Sequence, residues 1–140
     1  MSEIANAYMT LQVEFSNPGQ LTELLFRRAI CDLNSAIETW PELATNPKGI
    51  LQIVHAQSII KELNSTLNFK EGGELAVELS RLYEYIQHVL TETVTHRGAE
   101  LPADYFSVIE LLEEISGSWS EMLRKQNDPE ESLVLKERVA

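Results

Sequence analysis

The stretch Ala56-Gln57-Ser58-Ile59-Ile60-Lys61-Glu62-Leu63-Asn64-Ser65-Thr66-Leu67, followed fifteen residues later by Leu82-Tyr83-Glu84-Tyr85, decides the fold. Ile53, Ala56, Ile60, Leu63 and Leu67 recur at steps of three and four, the period of one helix face. Leu75, Leu79, Leu82, Ile86, Val89 and Leu90 repeat the pattern beyond a connection, Asn68 through Gly73, and that helix stops at Gly98, read as a left-handed C-terminal residue. These are two amphipathic helices in succession. Neither can bury its stripe alone, so each needs further helices.

Those helices lie on either side. Upstream, Asn17-Pro18-Gly19-Gln20 combines a capping residue, a proline suited to the first helical position and a capping-box glutamine. The stripe Leu21, Leu25, Ala29, Leu33, Ala36, Trp40 follows, with Ile37 beside it, until Pro41. Asn46-Pro47 is a second start signal and opens the helix of the quoted stretch. Downstream, a fourth helix begins near Pro102 and carries Tyr105, Val108, Ile109, Leu112, Ile115, Trp119 and Leu123. No alternating strand pattern bounded by hairpin turns is present. Short connections make neighbours antiparallel, so the expected fold is all-α, an antiparallel four-helix bundle over residues 17–124. Residues 125–140 read as a mobile, mostly polar tail with one apolar cluster, Leu133-Val134-Leu135.

Two features exceed what a bundle requires. Ile4, Tyr8, Leu11 and Phe15 fall on one helical face within residues 1–16, an N-terminal cap segment with no bundle position left to fill. The helices are also apolar beyond their stripes, at Leu51, Val54 and Ile59 on the second, Tyr85 on the third, and Phe106 and Leu111 on the fourth. Together they suggest grooves that receive helices.

Composition narrows the function. An apolar fraction of 44% over 140 residues supports a real core in one domain. A formal net charge of −11 argues against phosphate-backbone binding and against docking on an anionic membrane. No apolar run approaches a membrane span, and the first residues carry no signal-peptide pattern. A single cysteine, Cys31, rules out an intramolecular disulfide and reads as a buried or inert thiol. Partners that are nucleic acid or membrane are therefore not expected, and the expected compartment is the cytosol.

Catalytic and metal chemistry find no foothold. Glu84–His88 and Glu92–His96 are spaced by four where a di-iron bundle needs three, and Gln52 stands where His55 would need a glutamate. The histidines read as surface or helix-end residues. Glu113-Glu114 are adjacent on a helix and diverge. Gly72-Gly73 is not followed by the Lys-Ser/Thr of a phosphate loop. No cofactor, metal site or catalytic residue is assigned.

The ordered set of motifs resembles the flagellin-specific secretion chaperone family FliS from about Tyr8 to Leu123. The residues that carry it are Tyr8 and Val13, Ser16-Asn17-Pro18 with Leu21-Thr22, and Ala56 to Leu63. Lys70-Glu71-Gly72-Gly73-Glu74, Leu82 to Tyr85 and Trp119 follow in order. Members usually carry an aromatic-Asp-Gly run in the first helix, where this chain has Phe26-Arg27-Arg28. The resemblance implies a non-enzymatic cytosolic chaperone. It would bind the C-terminal helical segment of flagellin, prevent premature polymerisation and support export through the flagellar type III apparatus. The flagellar export gate is a second implied partner, and the chain is expected as a monomer or a weak or swapped dimer. The alternative is a helical adaptor or assembly factor for another client. Leu82 and Ile86 are expected in the core, with Tyr83 and Tyr85 to either side and at least one of them bordering the client groove. Asn64 and Leu67 are expected nearby, and Ile4, Tyr8, Leu11 and Phe15 are expected to cover the groove in the free protein.

Overall fold

The computed structural model describes residues 18–127, and they form four helices with no strand among them. The cap segment and the tail expected from the sequence lie outside the described residues. Helix α1 spans Pro18–Thr39 and runs into a 3-10 turn, Trp40–Glu42. Helix α2 spans Lys48–Ser65, α3 spans Phe69–His96 and α4 spans Ala103–Asn127.

The boundaries follow from local chemistry. Pro41 cannot donate a helical hydrogen bond, and α1 tightens into the 3-10 turn there. Asn46 Oδ1 accepts from the Lys48 amide at 3.0 Å and so starts α2 in place of a cap by Pro47. Asn68 Oδ1 accepts from the Glu71 amide at 3.0 Å, a true N-cap for α3. The expected break at Asn68–Gly73 is thus one helical turn and then a kink. Gly73 sits at φ 53°, ψ −129°, which only glycine adopts without strain. The left-handed residue ending α3 is Arg97, at φ 48°, rather than Gly98. Its amide reaches the Thr93 carbonyl at 3.1 Å.

The helices pack in the cyclic order α1–α2–α3–α4, with α4 returning to α1. Buried Tyr105, early in α4, donates its hydroxyl to the Leu33 carbonyl, late in α1, at 2.6 Å. At the other end Trp119 Nε1 donates to the Gly19 carbonyl at 2.9 Å, so α1 and α4 run antiparallel. Trp40 Nε1 donates to the Gly98 carbonyl, also at 2.9 Å, and ties the end of α1 to the α3–α4 loop. Each indole finds a partner for the one polar atom on a large apolar body.

The whole expected α1 stripe is buried, and Phe26 joins it at 2% exposure although the sequence marks it only as part of a variant run. In α2, Ile59 is buried at 1%, contrary to its reading as an off-stripe residue, because it lies on the flank covered by α1. In α3 the buried set is Ala76, Tyr83, Ile86, Val89, Leu90 and Thr93. The seam 76–83–90 with 86–93 is a heptad pattern. Leu75 is therefore exposed at 65%, Leu82 is only half-buried, and Tyr83 takes the core place expected for Leu82. Cys31 is exposed rather than buried.

Candidate partner-binding groove

Helical phase fixes which flank of α3 each side chain occupies. Gln87 Nε2 donates to the Gln57 carbonyl at 2.8 Å, and Gln57 Nε2 donates to the Thr91 hydroxyl at 3.0 Å. Gln87 and Thr91 thus mark the α2 side. Ile86 is fully buried. Tyr85, about 100° the other way from Ile86, is turned to the opposite flank, which borders α4, and is 45% exposed. Leu82 and Leu75 lie to the same side of Ile86 but closer to it, at about 40° and 20°; Leu82 is half-buried and Leu75 is exposed.

The facing edge of α4 follows from the same argument. Phe106 lines a depression of about 290 Å³ with Ile37, Trp40 and Leu101, so its flank of α4 belongs to α1. Leu111, Ile115 and Met122 lie about 60–100° to the other side of buried Leu112 and face α3. Leu111 and Ile115 are half-buried and Met122 is 37% exposed. The α3–α4 pairing is the loosest of the four around the bundle. Leu75, Leu82 and Tyr85 on one bank and Leu111, Ile115 and Met122 on the other make an apolar groove. Glu74, Glu78 and Glu114 are exposed along its rims.

The residues singled out from the sequence divide. Tyr85 borders the groove. Tyr83 is buried on the α2 side, where loss of water holds its phenol up at about 12. Asn64 and Leu67 are half-buried at the end of α2, on the α2–α3 side of the bundle. Asn64 Oδ1 is buried without a hydrogen-bond partner, which costs about 1–3 kcal/mol. Ile4, Tyr8, Leu11 and Phe15 lie outside the described residues. Met122 was missed because it falls off the α4 stripe, and Leu75 was misplaced because it fits a helical stripe equally well.

The remaining polar groups are structural or solvated. His55 pairs with Asp32 across α1 and α2, and His96 Nε2 meets Glu92 at 2.7 Å on the surface. Arg27, in the variant run, pairs with Glu23 one turn back at 2.6 Å. Among the described residues no three His, Cys, Asp or Glu side chains cluster closely enough to hold a metal ion. Among them too, no helix is long and apolar enough to cross a membrane.

The family described as Flagellar protein FliS matches residues 1–126. The flagellar secretion chaperone FliSB of Pseudomonas aeruginosa is 34% identical over 119 residues, which cover 85% of this chain and 91% of that protein. The flagellar secretion chaperone FliS of Vibrio cholerae is 25% identical over 111 residues, 79% of each.

Proposed function

Since the chain belongs to the FliS family of flagellar proteins, we propose that it is a cytosolic export chaperone for flagellin. It binds the C-terminal helical segment of the subunit, prevents premature polymerisation and hands the subunit to the flagellar type III export gate. The observation that carries the reading is the apolar α3–α4 groove, with Leu75 65% and Tyr85 45% exposed on a family member. A groove between helices accepts an amphipathic helix by burying its apolar face. The family works without enzymatic chemistry. Ordering the client costs several kcal/mol, so a long apolar contact is required rather than a few ion pairs.

In this reading Tyr85 presents an apolar ring and a wet hydroxyl to the client, while Tyr83 holds the shape of the bank from inside. Asn64 and Leu67, on the α2–α3 side, meet a further part of the client outside the α3–α4 groove. The unpartnered Asn64 acceptor gains a donor when the client or a small shift of α2 against α3 supplies one. The N-terminal segment bearing Ile4, Tyr8, Leu11 and Phe15 covers apolar surface until the client arrives. The test is capture of purified flagellin compared with flagellin lacking its C-terminal segment. Binding of the intact subunit alone supports the proposal; equal binding of both sends it to another client surface.

A further inference from the structure

A second apolar concavity lies away from the groove, where the end of α1 meets the α3–α4 loop and the start of α4. It is the depression of about 290 Å³ beside Phe106, walled by Ile37, Trp40, Pro41 and Leu101, with Glu100 as its one charged lining residue. Its walls are fixed before anything binds. The Trp40 indole donates to the Gly98 carbonyl at 2.9 Å, which holds the ring to the loop and occupies its one polar atom. Phe106 is 45% exposed, yet its ring stands edge-on against Tyr105, centroids 5.9 Å apart, and Tyr105 is itself tied to α1. Walls held in this way lose little further freedom on meeting a partner.

The setting is acidic. Glu100 lines the depression, and exposed Glu38 and Glu42 adjoin Ile37 and Pro41 in the chain. The two cations of the adjoining segments are turned elsewhere. Arg97 Nε donates back to the Val94 carbonyl at 2.9 Å. Lys48 stands beside Gly49, which lies against Thr39, about 200° around α1 from Ile37. Small-molecule sites run to about 300–1,000 Å³ and hold several convergent polar groups. This one has room for one large side chain and offers a carboxylate at its rim. That is the complement of an aromatic residue next to arginine or lysine; aromatics and arginine are the side chains enriched at interface cores.

We propose that this depression is a second docking site, for a protein segment that carries an aromatic side chain flanked by arginine or lysine. The aromatic ring enters between Trp40 and Phe106, and the flanking cations meet Glu100, Glu38 and Glu42. Phe106 stands about 120° from buried Leu112 on the α1 side of α4, whereas Leu111, Ile115 and Met122 of the groove lie to the other side. The two sites are therefore on opposite flanks of α4 and can be filled at once. Docking at the depression needs no client. Its consequence, that the client-loaded chaperone can be held by a second, basic partner, rests on the flagellin-binding reading above.

The test uses the free, isotope-labelled full chain, so its failure is separate from failure of that reading. The probe is the peptide acetyl-Gly-Arg-Trp-Arg-Gly-amide, one anchor between two cations. Amide resonances of residues 37–43 and 98–106 and the Trp40 indole proton shift and saturate, with a dissociation constant on the order of 1 mM. Those of residues 75–85 stay in place. Phe106→Ala, at an exposed ring, weakens binding about ten-fold, and Glu100→Lys about five-fold, both with unchanged helical circular dichroism. Serine in place of the peptide's tryptophan abolishes the shifts, and Tyr85→Ala in the protein leaves them as they are. Three results overturn the proposal. One is no shift at about 5 mM peptide. Another is shifts spread over the acidic surface and indifferent to loss of the tryptophan, which is charge attraction alone. The third is shifts centred on residues 75–85 and lost with Tyr85→Ala, which assigns the peptide to the α3–α4 groove. With saturating flagellin present the shifts at the depression persist; their loss there, with binding to the free protein intact, overturns simultaneous filling.

Discussion

The Tyr105 hydroxyl donates to the Leu33 carbonyl across 72 residues of sequence, at 2.6 Å and in a fully buried position. It fixes the start of α4 against the late part of α1. Removing the hydroxyl alone deletes one neutral hydrogen bond and little volume. Tyr105→Phe is expected to cost about 1 kcal/mol. Denaturant unfolding should show a lower midpoint with an unchanged slope.

Burial raises the phenols of both Tyr83 and Tyr105, the first to about 12; the Asp32 carboxylate adds to the effect at Tyr105. The unfolded chain loses these protons from about pH 10. A raised folded value means that stability is intact below that pH and falls as pH rises through the folded value. For Tyr83 the loss reaches roughly 2–3 kcal/mol by about pH 12. Phenolate absorbance from these two tyrosines should therefore appear together with loss of helical circular dichroism. Tyr83→Phe should shift the alkaline transition upward. Titration of all tyrosines with the helices intact would refute the burial argument.

Two glycines separate backbone need from backbone cost. Gly73 occupies φ 53°, ψ −129°, so Gly73→Ala should destabilise by about 1–3 kcal/mol. Gly117 is exposed inside α4, and a methyl group there would meet nothing within 4 Å. Gly117→Ala should stabilise by about 0.5–1 kcal/mol. Thermal melts of the two variants should move in opposite directions.

The sequence made the helices and their order legible because proline, asparagine caps and three-four spacing act locally. It also placed the α1 stripe residue by residue, since α1 is covered on both sides by α2 and α4. Helix α3 was harder. Ala76 is small and Thr93 is polar, so neither signals a core position, while Leu75 and Leu82 do. The burial of Thr93 becomes intelligible only from its hydroxyl, which donates to the Val89 carbonyl at 2.8 Å. How far α3 rolls toward α2 is set by tertiary packing, and that roll exchanges Leu82 for Tyr83 in the core. The same roll exposes the groove, so the candidate site was legible only at Tyr85 and Leu111.

Tyr83 and Tyr85 then form a paired test of core against groove. Truncating Tyr83 opens a cavity in the core and should cost about 3–5 kcal/mol, as for other large buried aromatics. Tyr85→Ala removes a half-exposed ring and should cost under about 1 kcal/mol of stability. Its effect on flagellin binding should be larger, because aromatic anchors carry interface energy out of proportion to their area. Calorimetric unfolding beside isothermal binding titration separates the two. A Tyr85→Ala protein that binds flagellin normally would move the client away from the α3–α4 groove.

The N-terminal segment gives a kinetic prediction. If Ile4, Tyr8, Leu11 and Phe15 cover surface that the client later occupies, the free protein is competent only while the cover is open. The apparent dissociation constant then rises by the inverse of the open fraction. Deleting residues 1–14 removes that competition. Flagellin association should become faster, with dissociation unchanged, and the uncovered apolar surface should promote self-association at high concentration. If Tyr8 and Leu11 instead contact the client, deletion slows association or speeds release. Stopped-flow association of full-length and truncated protein, at concentrations where sedimentation shows both to be monomeric, decides between them. A slower on-rate after truncation rules out the segment as a simple competitor and makes it part of the client site.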